Sequence, residues 1–284
     1  MNNIELAQKC LPVLEEIYST ESLTAQLDAQ TKNDYSGTPE VKVLTVETDG
    51  LGNYSRENGY PEGDVTATWE TFKLACERGK EFSVDRMDDE ETLGLTFGAV
   101  TGDFERVHVV PEIDAYRFAV YATGAGTSVP KAITEENIIA EIDEAVKVMD
   151  AEEIPAAGRI LYINTNLKPV LNRGIARQWG SDATISTLLK EYNDMKITYV
   201  PPKRFVTGVT LGEKGFSVTE GAKKINFMLI HKDAVKQAKK LAMPKVFDPD
   251  TNQDKDAWKL QYRLYHDAFV KEGKKLGIYS CTEE

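Results

Sequence analysis

Residues 65–84 read VTATWETFKLACERGKEFSV, and the fold turns on what covers that stretch. Val65, Ala67 and Trp69 alternate with polar residues at the period of a half-exposed strand, and Phe72, Leu74 and Cys76 continue the apolar series. Glu77-Arg78-Gly79-Lys80 reads as a turn, from which Phe82 and Val84 return as a second strand. Upstream, VKVLTVE (41–47) is a strand by composition, and GLGNYSRENGYPEGD (50–64), rich in Gly, Asn and Pro, is a long loop. Residues 41–85 are therefore expected to be mostly two-stranded ribbon. So thin an element cannot bury both of its faces, and an isolated hairpin is marginal in water. It must lie on a neighbouring domain or a neighbouring subunit.

The ribbon runs into VDRMDDEE (84–91), which places Asp85, Asp88, Asp89, Glu90 and Glu91 close together. Such a run can hold a metal, supply an acid/base pair, or begin a helix. A metal or acid/base site needs side chains that converge, whereas consecutive helical residues splay by about 100° each. As a helix start the run is self-consistent. Asp88 serves as N-cap, Glu91 completes an Asp-x-x-Glu capping box, and the acidic first turn complements the helix dipole. Leu93, Phe97, Val100 and Phe104 recur at helical spacing, so a helix is predicted from Asp88 to about Thr123. Pro111 should kink or split it near Val109–Val110, with Ile113, Tyr116, Phe118 and Val120 continuing beyond and Gly124 and Gly126 ending it.

Residues 1–40 read as an extended arm with a short helix over 3–19 (Leu6, Leu11, Leu14 and Ile17 apolar, Pro12 opposing). A second clear helix, TEENIIAEIDEAVKVM (134–149), carries Ile138, Ile139, Ile142, Ala145, Val146 and Met149 on one face. From Ala151 the texture alternates. ILYIN (160–164) and NFMLIH (226–231) are buried strands, and KITYVPP and RFVTGVT are strand-like. TLLKEYN (187–193) and KDAVKQAKKL (232–241) are predicted helices. AWKLQYRLYHDAFV (257–270) is a long strand, turned by KEGKK and returned by LGIYSC. No internal repeat or low-complexity tract is visible.

The chain of 284 residues is long enough for one large or two modest domains, and 41% hydrophobic with 28% charged residues suits a globular protein. No run approaches eighteen apolar residues, so no spanning helix is expected, and MNNIELAQKC lacks the pattern of a signal peptide. Cys10, Cys76 and Cys281 form no CxxC pair and read as buried or incidental thiols. The net charge of −12 is unevenly spread: residues 1–150 hold 30 acidic against 12 basic residues, and residues 151–284 hold 16 against 22. That split suits head-to-tail contact between copies, and equally two solvated surfaces of differing composition. A nucleic-acid grip is disfavoured, since it needs a denser cationic patch.

Motifs for chemistry are missing. His108, His231 and His266 have no HExxH spacing and no Cys partner, and each reads as structural; adjacent His266 and Asp267 point to opposite faces of a strand and form no dyad. There is no GxSxG elbow, and TGAGTSVPK (123–131) lacks the GxxxxGK[ST] spacing of a phosphate loop and reads as a helix-ending turn. Arg106, Arg117 and Arg263, set among apolar and acidic residues, fit ion pairs that fix elements or subunits. No catalytic, cofactor-binding or metal residue is assigned.

Five segments taken together resemble the major capsid proteins of tailed bacteriophages, with the Hong Kong 97-type shell fold, from phages and prophages of Gram-positive bacteria. They are YSRENGYPEGDVTATWET, ERGKEFSVDRMDDEET, RVHVVPEIDAYRFA, IPAAGRILYI and NQDKDAWKLQYRLYHDAFV, spread over residues 41–279. The resemblance implies an α+β fold with an N-terminal arm (1–40), an extended β-ribbon loop (41–87), a peripheral domain with a long spine helix (88–153 and 242–284), and an axial domain (154–241). It implies a non-enzymatic shell protein without cofactor that forms hexamers and pentamers of itself into an icosahedral head, which encloses DNA without sequence-specific binding. The assembled virion head would be built in the bacterial cytoplasm. Portal and cement proteins are the partners so implied. The family's type member carries a long cleaved scaffolding segment; forty residues are too few for one, so a separate scaffolding protein is expected. The alternatives are an encapsulin-like compartment shell, and a metal-dependent hydrolase built on the Asp85–Glu91 carboxylates.

Overall fold

The structure is a computed structural model in which residues 21–27, 40–57, 59–60, 62–87, 102–179 and 191–284 are described. Its centre is a pair of antiparallel strands, β5 (Arg159–Asn164) and β10 (Ile225–His231), buried at every position and paired with Ile163 opposite Phe227. Their continuous apolar runs are what a strand covered on both faces requires. Alternate side chains enter two cores. Ile160, Tyr162, Met228 and Ile230 pack with Phe118 and Tyr121 of helix α1 (Val110–Thr123), Phe205 and Leu27. Leu161, Ile163, Phe227 and Leu229 pack with helix α2 (Ile138–Ala151) and with Leu171 and Ile175 of helix α3 (Lys168–Trp179). The α2 face is the predicted one. The helix begins at Ile138 rather than Thr134, because Thr134 donates its N–H to the Asn137 side chain and the segment between closes as a turn (2.7 Å).

Around that pair the sheet has six strands in the order β4-β13-β10-β5-β7-β6, where β4 is Thr127–Pro130, β6 Glu191–Tyr192, β7 Met195–Val200 and β13 Ile278–Thr282. A second sheet of three strands runs β11-β12-β3, formed by Val235–Phe247, Ala257–Val270 and Cys76–Asp85. Two hairpins stand apart. In one, β1 (Glu40–Thr48) pairs with β2 (Val65–Lys73) from Glu40 opposite Lys73 to Thr48 opposite Val65. In the other, β8 (Val209–Gly212) pairs with β9 (Gly215–Val218).

The helix expected over 88–123 is present from residue 102, and Asp88–Thr101 lie outside the described residues. Pro111 neither splits nor sharply ends it. Residues Glu105–Val109 form a π turn in which the Val110 N–H reaches back five residues to the Glu105 carbonyl, and α1 follows directly. Proline has no N–H to give to the preceding turn, so a wider turn there loses nothing. Gly124 ends α1, its N–H on the Val120 carbonyl at 2.9 Å. A Cβ on Gly124 would lie 2.6 Å from Val270 Cγ2, and one on Gly126 2.7 Å from the Lys275 carbonyl oxygen, so close packing explains both glycines.

Several predictions of element type fail. Residues 77–80 are not a turn but the middle of β3, where Gly79 sits opposite Arg263 of β12. The ribbon therefore spans 40–73 rather than 41–85. KDAVKQAKKL is not a helix: Lys232–Ala234 form one 3₁₀ turn and Val235 begins β11, paired with β12 along its whole length. Of TLLKEYN, residues 191–192 are strand β6 and Asn193 and Asp194 turn at positive φ (46° and 61°); the rest lies outside the described residues. Strand β13 does not return beside β12 but crosses to pair with β10 and with β4. β4 and β13 belong to the six-stranded sheet, against which α2 packs, and β11 starts the three-stranded one at Val235. For residues 77–80 and 235–241, pairing with β12 overrides the local preference.

Candidate assembly surfaces

The β1–β2 hairpin leaves several of its described apolar side chains without cover. Trp69 is 61% exposed, Val65 69% and Val46 53%, and at the tip Tyr60 is 88% and Leu51 fully exposed. Tyr54 and Tyr60 meet edge to face at 5.0 Å, which braces the tip without burying it. The base is seated. Phe72 stacks on Phe269 of β12 with ring centroids 4.7 Å apart, and Leu74 packs on Ala238. Between β2 and β3 the chain is held by Asp267, which accepts from the Ala75 N–H at 2.7 Å and from the Tyr116 hydroxyl at 2.8 Å. The hairpin is thus a rigidly rooted element with a bare apolar blade.

The second feature is the anchoring of residues 22–27. Asp114, on α1 and fully buried, accepts five hydrogen bonds. Four come from Ser22–Thr24: Ser22 Oγ at 2.8 Å, Leu23 N at 3.0 Å, Thr24 N at 3.2 Å and Thr24 Oγ1 at 2.7 Å. The fifth is from Arg204 Nη1 at 3.5 Å, and buried Arg117 donates to Thr24 Oγ1 at 3.1 Å. Gln237 of β11 donates to the Thr24 carbonyl (3.1 Å) and Gln26 to Thr198 (2.7 Å), while Leu27 enters the core. A carboxylate saturated by donors is the kind of buried charge a fold tolerates, and here it ties residues 22–24 to helix and sheet at once.

Of the VDRMDDEE carboxylates, Asp85 is exposed at the end of β3 and accepts from the Met87 N–H at 3.0 Å. Arg86 bridges to Asp250 at 3.3 Å and Asp256 at 3.7 Å. Asp88–Glu91 lie outside the described residues, so the capping box is not placed. Among the described residues no group of three or more His, Cys, Asp or Glu side chains is arranged to hold a metal. His231 meets the Ala157 carbonyl at 3.0 Å, and His266 is buried against Tyr116, its pKa pushed down to about 3 by burial and by the cations Arg117, Lys239 and Arg78. His266 and Asp267 are both buried on opposite faces of β12, as predicted. Burial pushes the Cys76 thiol up, and that of Cys281 up to about 11, away from reactive thiolates. The three arginines do pair elements: Arg106 with Glu21 (3.3 Å), Arg117 with Thr24, and Arg263 with Glu77 across β12 and β3 (2.7 Å). Sequence reasoning missed Asp114 and Gln237, polar residues whose partners lie 90 and 213 residues away in the chain.

Glu105 is the least comfortable of the buried acids. It sits in the π turn, 1% exposed, with Oε1 3.5 Å from the Tyr262 hydroxyl and Oε2 without a hydrogen bond. Burial pushes its pKa up to about 7 against the pull of Lys239 and Tyr262.

No known family's sequence profile matches the chain, and no curated protein matches it by sequence. Solved structures do match. The capsid of cyanophage P-SCSP1u aligns with a TM-score of 0.72 at 12% identity, over 93% of this chain and 88% of that one. The chain has the fold of phage capsid shells. The structure from Gordonia phage Cozz aligns at 0.61 with 14% identity, covering 94% of this chain and 86% of that one. A virus-like particle from Pyrococcus furiosus aligns at 0.56 with 11% identity over 98% of each chain. The α+β, Hong Kong 97-type architecture expected from the sequence is borne out.

Proposed function

We propose that this chain is the major capsid protein of a tailed phage and assembles, as hexamers and pentamers of itself, into the icosahedral head that encloses the DNA. The observation that carries the proposal is the hairpin of residues 40–73 on a phage-capsid fold, with Trp69, Val65 and Val46 open to solvent along its length. A subunit that ended its existence as a monomer would have no reason to keep such a blade bare, and contiguous exposed apolar surface marks an interaction site. The contact is heterologous: the hairpin of one copy lies on the body of the next, and a rotation that closes makes a ring.

In this reading β1 and β2 are the extended loop, the helix through α1 with the three-stranded sheet is the peripheral domain, and the six-stranded sheet with α2 and α3 is the axial domain. Residues 22–27 are the fixed root from which the arm reaches a neighbour. The protein is a structural component of the virion, built in the host cytoplasm, with no enzymatic step. A separate scaffolding protein, a portal and cement proteins complete the head. Electron microscopy of the purified protein, alone and with its scaffolding protein, tests this: closed shells with icosahedral symmetry are expected.

A second reading has one specific support, the match to the Pyrococcus furiosus particle over the full length of both chains. A compartment shell that encloses protein cargo would have the same fold. Genes beside this one separate the two: a terminase and portal for a phage head, a cargo enzyme for a compartment.

A further inference from the structure

The fold brings together lysines that the sequence keeps forty residues apart. The 3₁₀ turn Lys232–Ala234 and the 3₁₀ segment Glu272–Gly277 lie against each other: Lys271 donates its N–H to the Ala234 carbonyl at 3.0 Å, and a Cβ on Gly277 would stand 2.8 Å from the Ala234 Cβ. The two segments and their flanks carry Lys232, Lys236, Lys271, Lys274 and Lys275 against the carboxylates Asp233 and Glu272, with Glu70 of the hairpin base facing Lys271. Glu272 is engaged by Lys275 at 2.6 Å. Lys232, Lys271 and Lys274 form no ion pair among the described residues. Lys271 is half buried, and its ammonium is disfavoured by burial and by Lys274 and Lys236 beside it, against the pull of Asp233 and Glu70. A cluster of like charges around a partly desolvated one is a cost that a bound anion would remove.

The chemistry of the cluster favours phosphate over carboxylate. Elsewhere in the chain inter-element carboxylates are met largely by arginine, as in Arg78–Glu112 (2.7 Å), Arg159–Asp150 (2.6 Å) and Arg204–Asp114 (3.5 Å). Here every cation is lysine, a flexible point charge that suits a string of phosphates without fixed geometry. The only large apolar side chain exposed in the patch is Leu276, so it lacks the apolar centre of a protein-docking surface. We infer that the lysine turns of residues 232–236 and 271–275 form a contact for the phosphate backbone of duplex DNA, independent of base sequence. Within the proposed shell, on which its biological meaning but not its test depends, this face would meet the packaged genome.

The test uses the full-length protein before assembly, at concentrations where sedimentation finds no shells, with a fluorescent duplex of about 20 base pairs of mixed sequence. Three phosphate contacts predict a slope of log K against log salt of about −2.7, so binding weakens roughly 40-fold between 50 and 200 mM NaCl. Each of Lys232→Gln, Lys271→Gln and Lys274→Gln is expected to flatten the slope by about one, with equal effect on a second, unrelated duplex. Unchanged thermal melting of the variants separates loss of contact from loss of fold. Absence of salt-dependent binding at 20 mM NaCl, or a triple variant with the parental slope, overturns the inference. So does a triple variant that binds DNA as before yet fails to form shells, which would assign the lysines to a second copy. Failure of the parent to form shells leaves the binding result standing and bears only on the proposed function.

Discussion

Asp114 and Glu105 are both buried carboxylates within one helical stretch, and they act in opposite directions. Asp114 is saturated, so Asp114→Ala strands the donors of Ser22, Leu23, Thr24 and Arg204 in the core and is expected to destabilise the subunit by roughly 3–5 kcal/mol in urea unfolding. In the milder Asp114→Asn variant, proteolytic cutting of residues 21–27 is expected to accelerate before the core unfolds. Glu105 has a folded pKa raised to about 7 from the 4.5 of an ordinary glutamate. The native state therefore holds a proton that the unfolded chain gives up, and stability falls as pH rises from about 4.5 through 7. His266 has the reverse sign: its pKa is lowered from 6.5 to about 3, so its contribution is present above pH 6.5 and lost as pH falls toward 3. Comparing Glu105→Gln with the parent isolates the first effect. Urea midpoints should converge at low pH and favour the variant at pH 8; parallel pH profiles would mean the carboxylate is not held as described. Neither residue is distinguished in the sequence, where they are two acids among 46, because what sets them apart is partners far along the chain.

At the scale of elements, what was legible was whatever local pattern decides alone. The apolar runs of β5 and β10, the apolar face of α2, the alternation of β12 and the uncovered ribbon all follow from period and composition. What was not legible was pairing across the chain. Glu77-Arg78-Gly79-Lys80 and KDAVKQAKKL have the composition of a turn and a helix, and both became strands because β12 offers a fourteen-residue edge on each side. Gly126 tests how closely these elements fit. Its substitution by Ala would press a Cβ against main-chain atoms of Lys275 at 2.7 Å, which cannot swing aside as a side chain would. A loss of about 1–3 kcal/mol is expected from the shift in unfolding midpoint; a neutral result would show that the 272–277 segment yields easily.

On the whole-molecule scale the subunit stores its assembly in exposed surface. The bare hairpin is a poor feature for an isolated protein, and it and the uneven charge of the two halves of the chain are consistent with many weak contacts between copies. Trp69→Ser separates folding from assembly. Because Trp69 is exposed in the subunit, the variant's unfolding free energy should hold within about 0.5 kcal/mol of the parent, while the concentration needed for shells rises about tenfold or more. The most direct measurement is cryo-electron microscopy of the purified protein, with its scaffolding protein where one is encoded. The account predicts closed icosahedral particles in which Trp69 and Tyr60 of each subunit are covered by an adjacent copy. Particles whose hairpins stay bare, or a protein that remains monomeric under every assembly condition, would contradict it.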